Sequence, residues 1–387
     1  MRSQRRHTVA DMDGLHYLDR IALPWRAALE SVTGPLDPFD AHTHLGDNDP
    51  DDFSQTVQQL LQGLGAADAR ATTFASAEPD GYGPANDRII ADASASGGVL
   101  VPYARLDPAA DPVAEAERCL AAGAKGIKLH PRAEKFELSH PAVDGIFALA
   151  HEQKLPVLIH AGRGIPSLGQ DAVELARKYP GARVILAHAA VSDLSWLCDV
   201  IGGIDNLFID TSWWNPADLM AVYALVPPSH ILWASDSPYG RPLGSLAFLL
   251  RPAVQAGLGP EAMRSIAGGQ LERILAGDDP ADLGPAPGRP ASVDPLLDRV
   301  ESHLVSAMGR AFAHTDPAES VALARLACNP GARNYGEVHA RILDMLVQVE
   351  SGQFEPVTGV PFPPELGILI WILQLARTPD VPVPDAP

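Results

Sequence analysis

Short apolar segments alternate with longer amphipathic segments along most of the chain. The apolar segments have the length of β-strands, and they are Pro38–Leu45, Ala71–Ala75, Val99–Leu106, Gly126–His130, Pro156–Ala161, Val184–Ala189, Leu207–Thr211 and Ile231–Ser235. The amphipathic segments have apolar positions at helical spacing, and they include Asp52–Leu64, Ala85–Ser94, Asp111–Ala122, Ala142–Lys154, Asp171–Tyr179, Leu194–Ile201, Pro216–Leu225 and Glu261–Leu275. Several strand segments are apolar throughout, which is typical of strands buried on both faces. The pattern predicts a parallel sheet covered by helices.

Eight strand-then-helix repeats over about 240 residues match the usual size of a (β/α)8 barrel. An open doubly wound sheet is the structural alternative, but such a sheet would more often use fewer strands and a glycine-rich turn after the first one. Here the end of the first strand carries Asp40, His42 and His44 instead. The sequence therefore predicts an α/β fold, a (β/α)8 TIM barrel.

The segments on either side of the predicted barrel have helical spacing and no strand pattern. Residues 1–35 predict an N-terminal helical extension, and residues 36–276 form the barrel. Residues 277–292 are rich in proline and glycine, which is typical of a linker. Residues 293–387 predict a C-terminal helical extension. Its helical stretches are Leu296–Phe312, Glu319–Cys328, Glu337–Val349 and Leu366–Leu375.

Composition narrows the classes of partner. The 387 residues carry 48 acidic and 29 basic side chains, a net charge of −19, so the surface repels phosphate and nucleic acid is not expected as a partner. The longest apolar run, near Leu366 to Leu375, is too short to span a bilayer. The basic start lacks the apolar stretch of a secretion signal, and three distant cysteines exclude a disulfide framework. We expect a cytoplasmic globular protein with a small-molecule substrate.

Polar residues interrupt the apolar strands near their carboxyl ends, where a parallel barrel holds its active site. His42 and His44 project to the same side of the first strand and can share one metal ion. Later strands end in Lys128, His130, His160, His188 and Asp236. Each residue alone has a structural explanation, such as a hydrogen-bonded histidine or a capping aspartate. Burying all of them at one end would be costly without an ion, so the set predicts a metal site.

These strand-end motifs resemble those of the amidohydrolase superfamily, in the amidohydrolase-related branch that includes aminocarboxymuconate semialdehyde decarboxylase. The motifs are Asp40-Ala41-His42-Thr43-His44, Gly126-Ile127-Lys128-Leu129-His130-Pro131, Leu158-Ile159-His160-Ala161-Gly162, Ile185-Leu186-Ala187-His188, Phe208-Ile209-Asp210-Thr211-Ser212 and Trp233-Ala234-Ser235-Asp236-Ser237-Pro238. The resemblance covers about Phe39 to Leu275 and leaves both helical extensions unexplained.

The resemblance implies a divalent ion held by His42, His44, His160 and Asp236, with a bound water. Zinc is the first candidate, and manganese or another divalent ion is an alternative. Asp236 would bind the ion and accept the proton of the water. His188 would lie just outside the ligand set, where it would orient the water or polarise a substrate carbonyl.

Lys128 has two possible roles. In binuclear relatives a lysine at this strand end is carboxylated and bridges two ions, and His160 and His188 would then bind the second ion. In the branch that the sequence most resembles, one ion is usual. We predict one ion, with Lys128 as an uncarboxylated cation that faces the pocket.

Candidate substrate contacts follow the same strands. They are His130, Arg132, Arg163, Trp213, Trp214 and Tyr239. An arginine can clamp a carboxylate through two parallel hydrogen bonds, and an aromatic side chain can cover a planar ring. The alternative for each is a solvated or merely packed loop residue.

Three functions remain open at this point. The first is a metal-dependent hydrolase acting on a small anionic amide, ester or lactone. The second is a lyase that removes CO2 non-oxidatively from a carboxylated substrate, because the ligand set would be shared. The third is a scaffold that acts through the C-terminal helices, where the apolar run Leu366–Leu373 must be buried against the barrel, a partner or a second copy of the chain.

Overall fold

The computed structural model of the protein describes residues 16–50, 52–162, 168–288, 294–313, 315–352 and 364–385. Eight strands form one sheet in chain order, and each neighbouring pair is parallel. The strands are β1 (Phe39–Leu45), β2 (Arg70–Ala75), β3 (Leu100–Arg105), β4 (Gly126–Leu129), β5 (Pro156–Ile159), β6 (Arg183–Leu186), β7 (Leu207–Asp210) and β8 (Ile231–Leu232). The sheet closes where the amide of Ala41 donates to the carbonyl of Trp233 at 3.1 Å and that of His44 to Ser237 at 2.7 Å. The predicted (β/α)8 TIM barrel is confirmed.

Helices follow the strands and pack on the outside of the barrel. They are α1 (Tyr17–Thr33), α2 (Val57–Ala67), α3 (Gly83–Ala95), α4 (Pro112–Ala122), α5 (Pro141–Gln153), α6 (Gly169–Lys178), α7 (Leu194–Val200), α8 (Pro216–Leu225), α9 (Pro242–Gln255), α10 (Pro260–Arg264) and α11 (Gln270–Ala276). The prediction did not name α9. It also took α10 and α11 as one helix, whereas a π-helical segment, Ser265–Gly269, lies between them.

Local sequence sets where several of these helices begin. Asp111 caps α4 by accepting a hydrogen bond from the amide of Ala114 at 3.4 Å, and Asn215 caps α8 at the amide of Ala217 at 2.9 Å. In both helices proline occupies the first helical position, where its missing N–H costs nothing. Thr56 forms a capping box with Gln59 at the start of α2.

Several strands end earlier than the sequence pattern predicted. Strand β6 ends at Leu186 rather than at Ala189, because His188 and Ala189 have φ angles of 58° and 57° that cannot continue a strand. Strand β8 ends at Leu232 rather than at Ser235, and Asp236 has a φ of 55°. His188 and Asp236 therefore lie on turns just beyond the hydrogen-bonded sheet, whereas His42, His44 and Lys128 lie within their strands. Strained turns of this kind are typical of functional sites.

The interior of the barrel is filled by side chains that alternate along the strands with those facing the helices. This inner layer includes Phe39, Phe74, Tyr103 and Phe208. Leu271 and Ile274 of α11 pack against the same layer and cover one end of the barrel. The other end, at the carboxyl ends of the strands, stays open for the site.

Four further helices follow the barrel. They are α12 (Pro295–Phe312), α13 (Ala318–Ala327), α14 (Gly336–Ser351) and α15 (Pro364–Arg377). Helix α15 packs against the barrel helices, with the ring of Trp371 centred 4.4 Å from Trp25 of α1 and 5.5 Å from Phe248 of α9. The apolar residues of the run Leu366–Leu373 are therefore largely buried within the chain itself. No helix in the described ranges is both long and apolar enough to cross a membrane.

Candidate metal centre

Three predicted ligands converge at the open end of the barrel. The Nε2 atoms of His42 and His44 lie 3.1 Å apart, and each lies 3.2 Å from Oδ1 of Asp236. All three side chains are buried or nearly so. Among the described residues, these three side chains form a group that could hold a metal ion, because their ligand atoms all lie within 4.8 Å of one another. Alternation along β1 brings the two histidines together, and the turn after β8 brings Asp236 to them.

Asp210, the last residue of β7, determines which nitrogen of His42 carries the proton. Its Oδ2 lies 2.9 Å from Nδ1 of His42, and a carboxylate can only accept, so Nδ1 donates and Nε2 keeps its lone pair. A carboxylate behind a histidine is the arrangement that fixes a metal ligand in the correct tautomer. Oδ1 of Asp210 accepts a hydrogen bond from the amide of His188 at 3.0 Å, which ties the same carboxylate to a second histidine.

His160 and His188 form a separate pair in the same cavity. Nδ1 of His188 lies 2.9 Å from the carbonyl of Ser212, so this nitrogen carries the proton and Nε2 accepts from Nδ1 of His160 at 2.9 Å. By this assignment Nε2 of His160 keeps a lone pair, and that atom is buried with no partner among the described residues. His160 lies outside the group of three ligand atoms, and its role as a fourth ligand stays a prediction.

Burial sets the protonation states of the site. Burial lowers the pKa of His42 well below its ordinary value, with the charge of Lys128 acting in the same direction, and burial also lowers the pKa of His44 and His160. Burial alone would raise the pKa of Asp236, but the neighbouring His42 and the hydrogen bond from His44 hold it below its usual range. Near neutral pH the imidazoles are neutral and the carboxylate is charged, which is the protonation state that metal ligands require.

Lys128 lies against the ligands at the end of β4. Its Nζ is 3.2 Å from Nε2 of His42 and 4.7 Å from the centre of the Phe74 ring. Burial lowers the pKa of Lys128 from 10.5 to about 7. The amine therefore loses its proton far more readily than an exposed lysine does. One ion with an uncarboxylated Lys128 stays a prediction.

The donor set fits a divalent ion. Ligand bonds of about 2.0–2.1 Å in a tetrahedral zinc site place neighbouring donor atoms about 3.3 Å apart, close to the separations of 3.1 and 3.2 Å between His42, His44 and Asp236. The lone pair on Nε2 of His160 is buried without a hydrogen-bond partner among the described residues, and a metal cation would satisfy it. Two or three imidazoles with one carboxylate suit zinc and other divalent transition metals.

A cavity of about 340 Å³ opens beside these residues. Its walls include His44, His160, His188 and Asp236 together with His130, Arg132 and Tyr239, which were predicted as substrate contacts. The ring of His130 stacks on that of His160 with their centres 3.9 Å apart. Tyr239 packs on Phe53 with ring centres 4.4 Å apart, and its hydroxyl bonds to Asp49.

The remaining predicted contacts are placed differently. Trp213 donates its indole N–H to Asp218 at 2.6 Å, and Trp214 packs on Phe248 with ring centres 5.3 Å apart. Neither tryptophan lines the cavity. Arg163 lies outside the described residues.

Three further residues of the site had no role predicted from the sequence. Arg105 lines the cavity at the end of β3, and Asp210 bonds to His42. Gln55 donates to the carbonyl of His44 at 2.7 Å and accepts from the hydroxyl of Ser237 at 2.7 Å. Arg105 and Asp210 are charged residues at the ends of apolar strands, so the signal that marked His160 and Asp236 was available for them as well.

The fold and this site together define a class: βα-barrel enzymes with a metal centre at the carboxyl ends of the strands. A family model described as amidohydrolase matches residues 25–270, which is more than half of the chain. The chain belongs to the amidohydrolase family, and the resemblance found in the sequence is confirmed.

Solved structures with the same barrel are distant in sequence. A candidate amidohydrolase from Staphylococcus aureus is 18% identical, with a TM-score of 0.50, and the match covers 62% of this chain and 100% of that one. A 4-oxalomesaconate hydratase from Rhodopseudomonas palustris is 16% identical, with a TM-score of 0.50 and coverage of 62% and 96%. A 5-carboxyvanillate decarboxylase from Sphingomonas paucimobilis is 14% identical, with a TM-score of 0.48 and coverage of 62% and 99%. No curated protein sequence matches the chain significantly.

Proposed function

We propose that this protein is a metal-dependent hydrolase that acts on a small anionic amide, ester or lactone. The observation that carries the proposal is the convergence of His42, His44 and Asp236, with donor atoms 3.1 and 3.2 Å apart. His44 and Asp236 lie on the wall of a cavity that also has arginines among its lining residues. A bound divalent ion would supply Lewis acidity and a water of lowered pKa. The protein's own residues would supply orientation and proton transfer.

Asp236 is the residue best placed to move a proton. Its Oδ1 lies between the two histidines, while its Oδ2 lies 3.8 Å from Nδ1 of His188. We propose that Oδ1 of Asp236 would help to hold the ion. Oδ2 would accept the proton of the attacking water and pass that proton to the leaving group.

His188 and Lys128 would act around this centre. Both ring nitrogens of His188 are engaged, by Ser212 and by His160, so its first role is to keep the Nε2 lone pair of His160 available. Polarisation of a substrate carbonyl by His188 remains a further role predicted from the family resemblance. With its pKa at about 7, Lys128 would serve either as a cation or as a neutral donor beside His42.

The test combines metal analysis with product analysis on the full chain. The protein is stripped with a chelator, reloaded with Zn²⁺, and incubated with panels of amides, esters, lactones and aromatic carboxylates while CO2 release is monitored. We expect about one bound ion per chain and hydrolysis without CO2. His42→Ala should lose both metal and activity, whereas His151→Ala, on an exposed part of α5, should keep both.

Other outcomes would replace parts of the proposal. Release of CO2 without hydrolysis would establish the lyase alternative. Two ions per chain with a carbamate on Lys128 would overturn the one-ion assignment. Full activity in His42→Ala would remove the metal centre from the mechanism altogether.

A further inference from the structure

Arg105 is a buried cation at the end of β3, and it lines the same cavity as the metal ligands. Its Nη1 donates to the carbonyl of Ala75 at 3.1 Å, and its Nη2 donates to Oε1 of Glu134 at 2.8 Å. The guanidinium also lies 4.9 Å from the centre of the Tyr82 ring. Burial of a guanidinium is costly unless its charge is paired and its donors are used, and these contacts hold the group in one orientation.

The ion pair between Arg105 and Glu134 leaves hydrogen-bonding atoms unused on both side chains. A guanidinium carries more N–H donors than these two bonds occupy. Nε of Arg105 and Oε2 of Glu134 are buried with no partner among the described residues. Oε1 of Glu134 accepts from both Arg105 and the hydroxyl of Tyr82. A buried N–H without an acceptor beside a cavity is a position where an acceptor on a ligand would be stabilised.

The charge of Arg105 also acts on the metal centre. Burial is the main cause of the lowered pKa of His44, Lys128 and His130, and the charge of Arg105 lowers all three further. Arg105 and Arg132 are the arginines on the described wall of the cavity. Arg132 is exposed, so water screens its charge, whereas that of Arg105 acts through a poorly screened interior.

We propose that Arg105 anchors a carboxylate of the substrate in the cavity that it shares with the candidate metal centre, and that the substrate therefore carries this carboxylate in addition to its reacting group. Glu134 and Tyr82 hold the guanidinium in place, and Glu134 competes with the ligand for its donors. The inference rests on the proposed function, because it uses the same cavity. To the proposed function this inference adds Arg105 as a substrate-binding residue. It also adds a substrate class, namely small carboxylic acids with a second oxygen function.

Binding of simple acids tests the anchor without knowledge of the natural substrate. Malonate, succinate and glutarate are titrated by calorimetry into the full-length, Zn²⁺-loaded protein, with the corresponding neutral diamides as controls. We expect a dicarboxylate to bind at least about tenfold more tightly than its diamide. The chain length that binds best reports the span between Arg105 and the ion.

Variants of the ion pair separate an anchor from a structural arginine. Arg105→Gln alone leaves Glu134 buried without its cation and can unfold the protein, so the decisive variant is the neutral pair Arg105→Gln with Glu134→Gln. This pair should fold, keep its metal and lose at least about tenfold in dicarboxylate affinity. Glu134→Gln alone should bind the acid several-fold more tightly, because a competing carboxylate is removed, and a merely structural ion pair does not predict that gain. Arg177→Gln, at an exposed position of α6 outside the cavity, serves as the matched control and should leave the affinity unchanged.

Unchanged dicarboxylate binding in the neutral pair, or equal binding of the diamides, would overturn the anchor. Metal content is measured in the same samples, so that the two proposals can fail separately. Binding that depends on Arg105 in a protein that takes up no Zn²⁺ would overturn the metal centre and support the anchor. Zn²⁺ uptake together with dicarboxylate binding that does not depend on Arg105 would support the metal centre and overturn the anchor.

Discussion

Asp210 supports two histidines of the site through the two oxygens of one carboxylate. Oδ2 accepts from Nδ1 of His42 at 2.9 Å, while Oδ1 accepts from the amides of His188 and Ser212, each at 3.0 Å. The ligand tautomer on β1 and the turn after β6 are therefore both set from β7. At the scale of single residues, this carboxylate is the most connected group behind the metal ligands.

Asp210→Asn should weaken metal binding and leave the fold intact. The amide oxygen would stay with the backbone donors, so the amide NH2 would face Nδ1 of His42 and force the proton onto Nε2. A protonated Nε2 cannot bind a metal, so we expect Zn²⁺ affinity to fall by about 10–100-fold. Competition with a chromophoric chelator measures the affinity. The control is Asp218→Asn, which changes the carboxylate that accepts from Trp213; equal affinities in the two variants would contradict the argument.

Residue types at strand ends predicted that His42, His44 and Asp236 converge, because side chains alternate along a strand and the strands of a barrel end on one rim. The same reasoning could not predict hydrogen-bond partners. Asp210 and His42 are far apart in the chain, and their contact depends on barrel closure and on the rotamers of both residues. Arg105 and Asp210 were detectable as charged strand ends, but their roles follow only from the contacts.

At the scale of elements, Gln55 joins the two segments that carry the ligands. Its side chain bonds to the backbone of His44 on β1 and to the hydroxyl of Ser237, the residue after Asp236. The backbone of Gln55 also bonds to that of Gly46. The amide of Gln55 donates to the carbonyl of Gly46 at 2.9 Å, and the amide of Gly46 donates to the carbonyl of Gln55 at 3.1 Å. This amide side chain thus reinforces the direct backbone hydrogen bond between His44 and Ser237.

Gln55→Ala should therefore loosen the ligand set. We expect roughly tenfold weaker Zn²⁺ binding, because the two segments lose one of the contacts that hold them together, and a small loss of stability. Gln58→Ala, at an exposed position on α2, is the matched control and should leave the affinity unchanged. Zn²⁺ titrations of both variants provide the comparison. A loss of stability without a change in affinity would show that Gln55 supports only the loop.

The elements themselves were largely predictable, since buried parallel strands and amphipathic helices have distinct periods. Among the strands, the largest differences lie at the carboxyl ends of β6 and β8. There the sequence stays apolar, whereas the backbone at His188 and Asp236 turns away with positive φ. Hydrophobic patterns report burial and not backbone direction, so they extended these strands into the turns that carry the site.

At the scale of the whole molecule, the C-terminal helices pack on the barrel through a buried arginine. Arg251 of α9 is 1% exposed, and it donates from Nε to the hydroxyl of Thr378 at 2.6 Å and from its Nη atoms to the carbonyls of Val381 and Pro382, each at 2.8 Å. The sequence predicted a helical extension, but hydrophobic periodicity does not say which partner covers an apolar face. The structure places α15 on α1 and α9, so the extension and the barrel share a core.

A shared core predicts that the barrel and its extension unfold together. Arg251→Met keeps much of the side-chain volume but leaves the carbonyls of the C-terminal segment without a donor, and we expect it to lower the free energy of unfolding by about 2–4 kcal/mol. Denaturant titration followed by tryptophan fluorescence should give one transition in both proteins, because Trp25 and Trp371 lie on opposite sides of the contact. Arg325→Met, on an exposed part of α13, should change the midpoint little. An early separate transition in the unmodified protein would instead show that the extension is an independent unit, a result that would return the scaffold hypothesis to consideration.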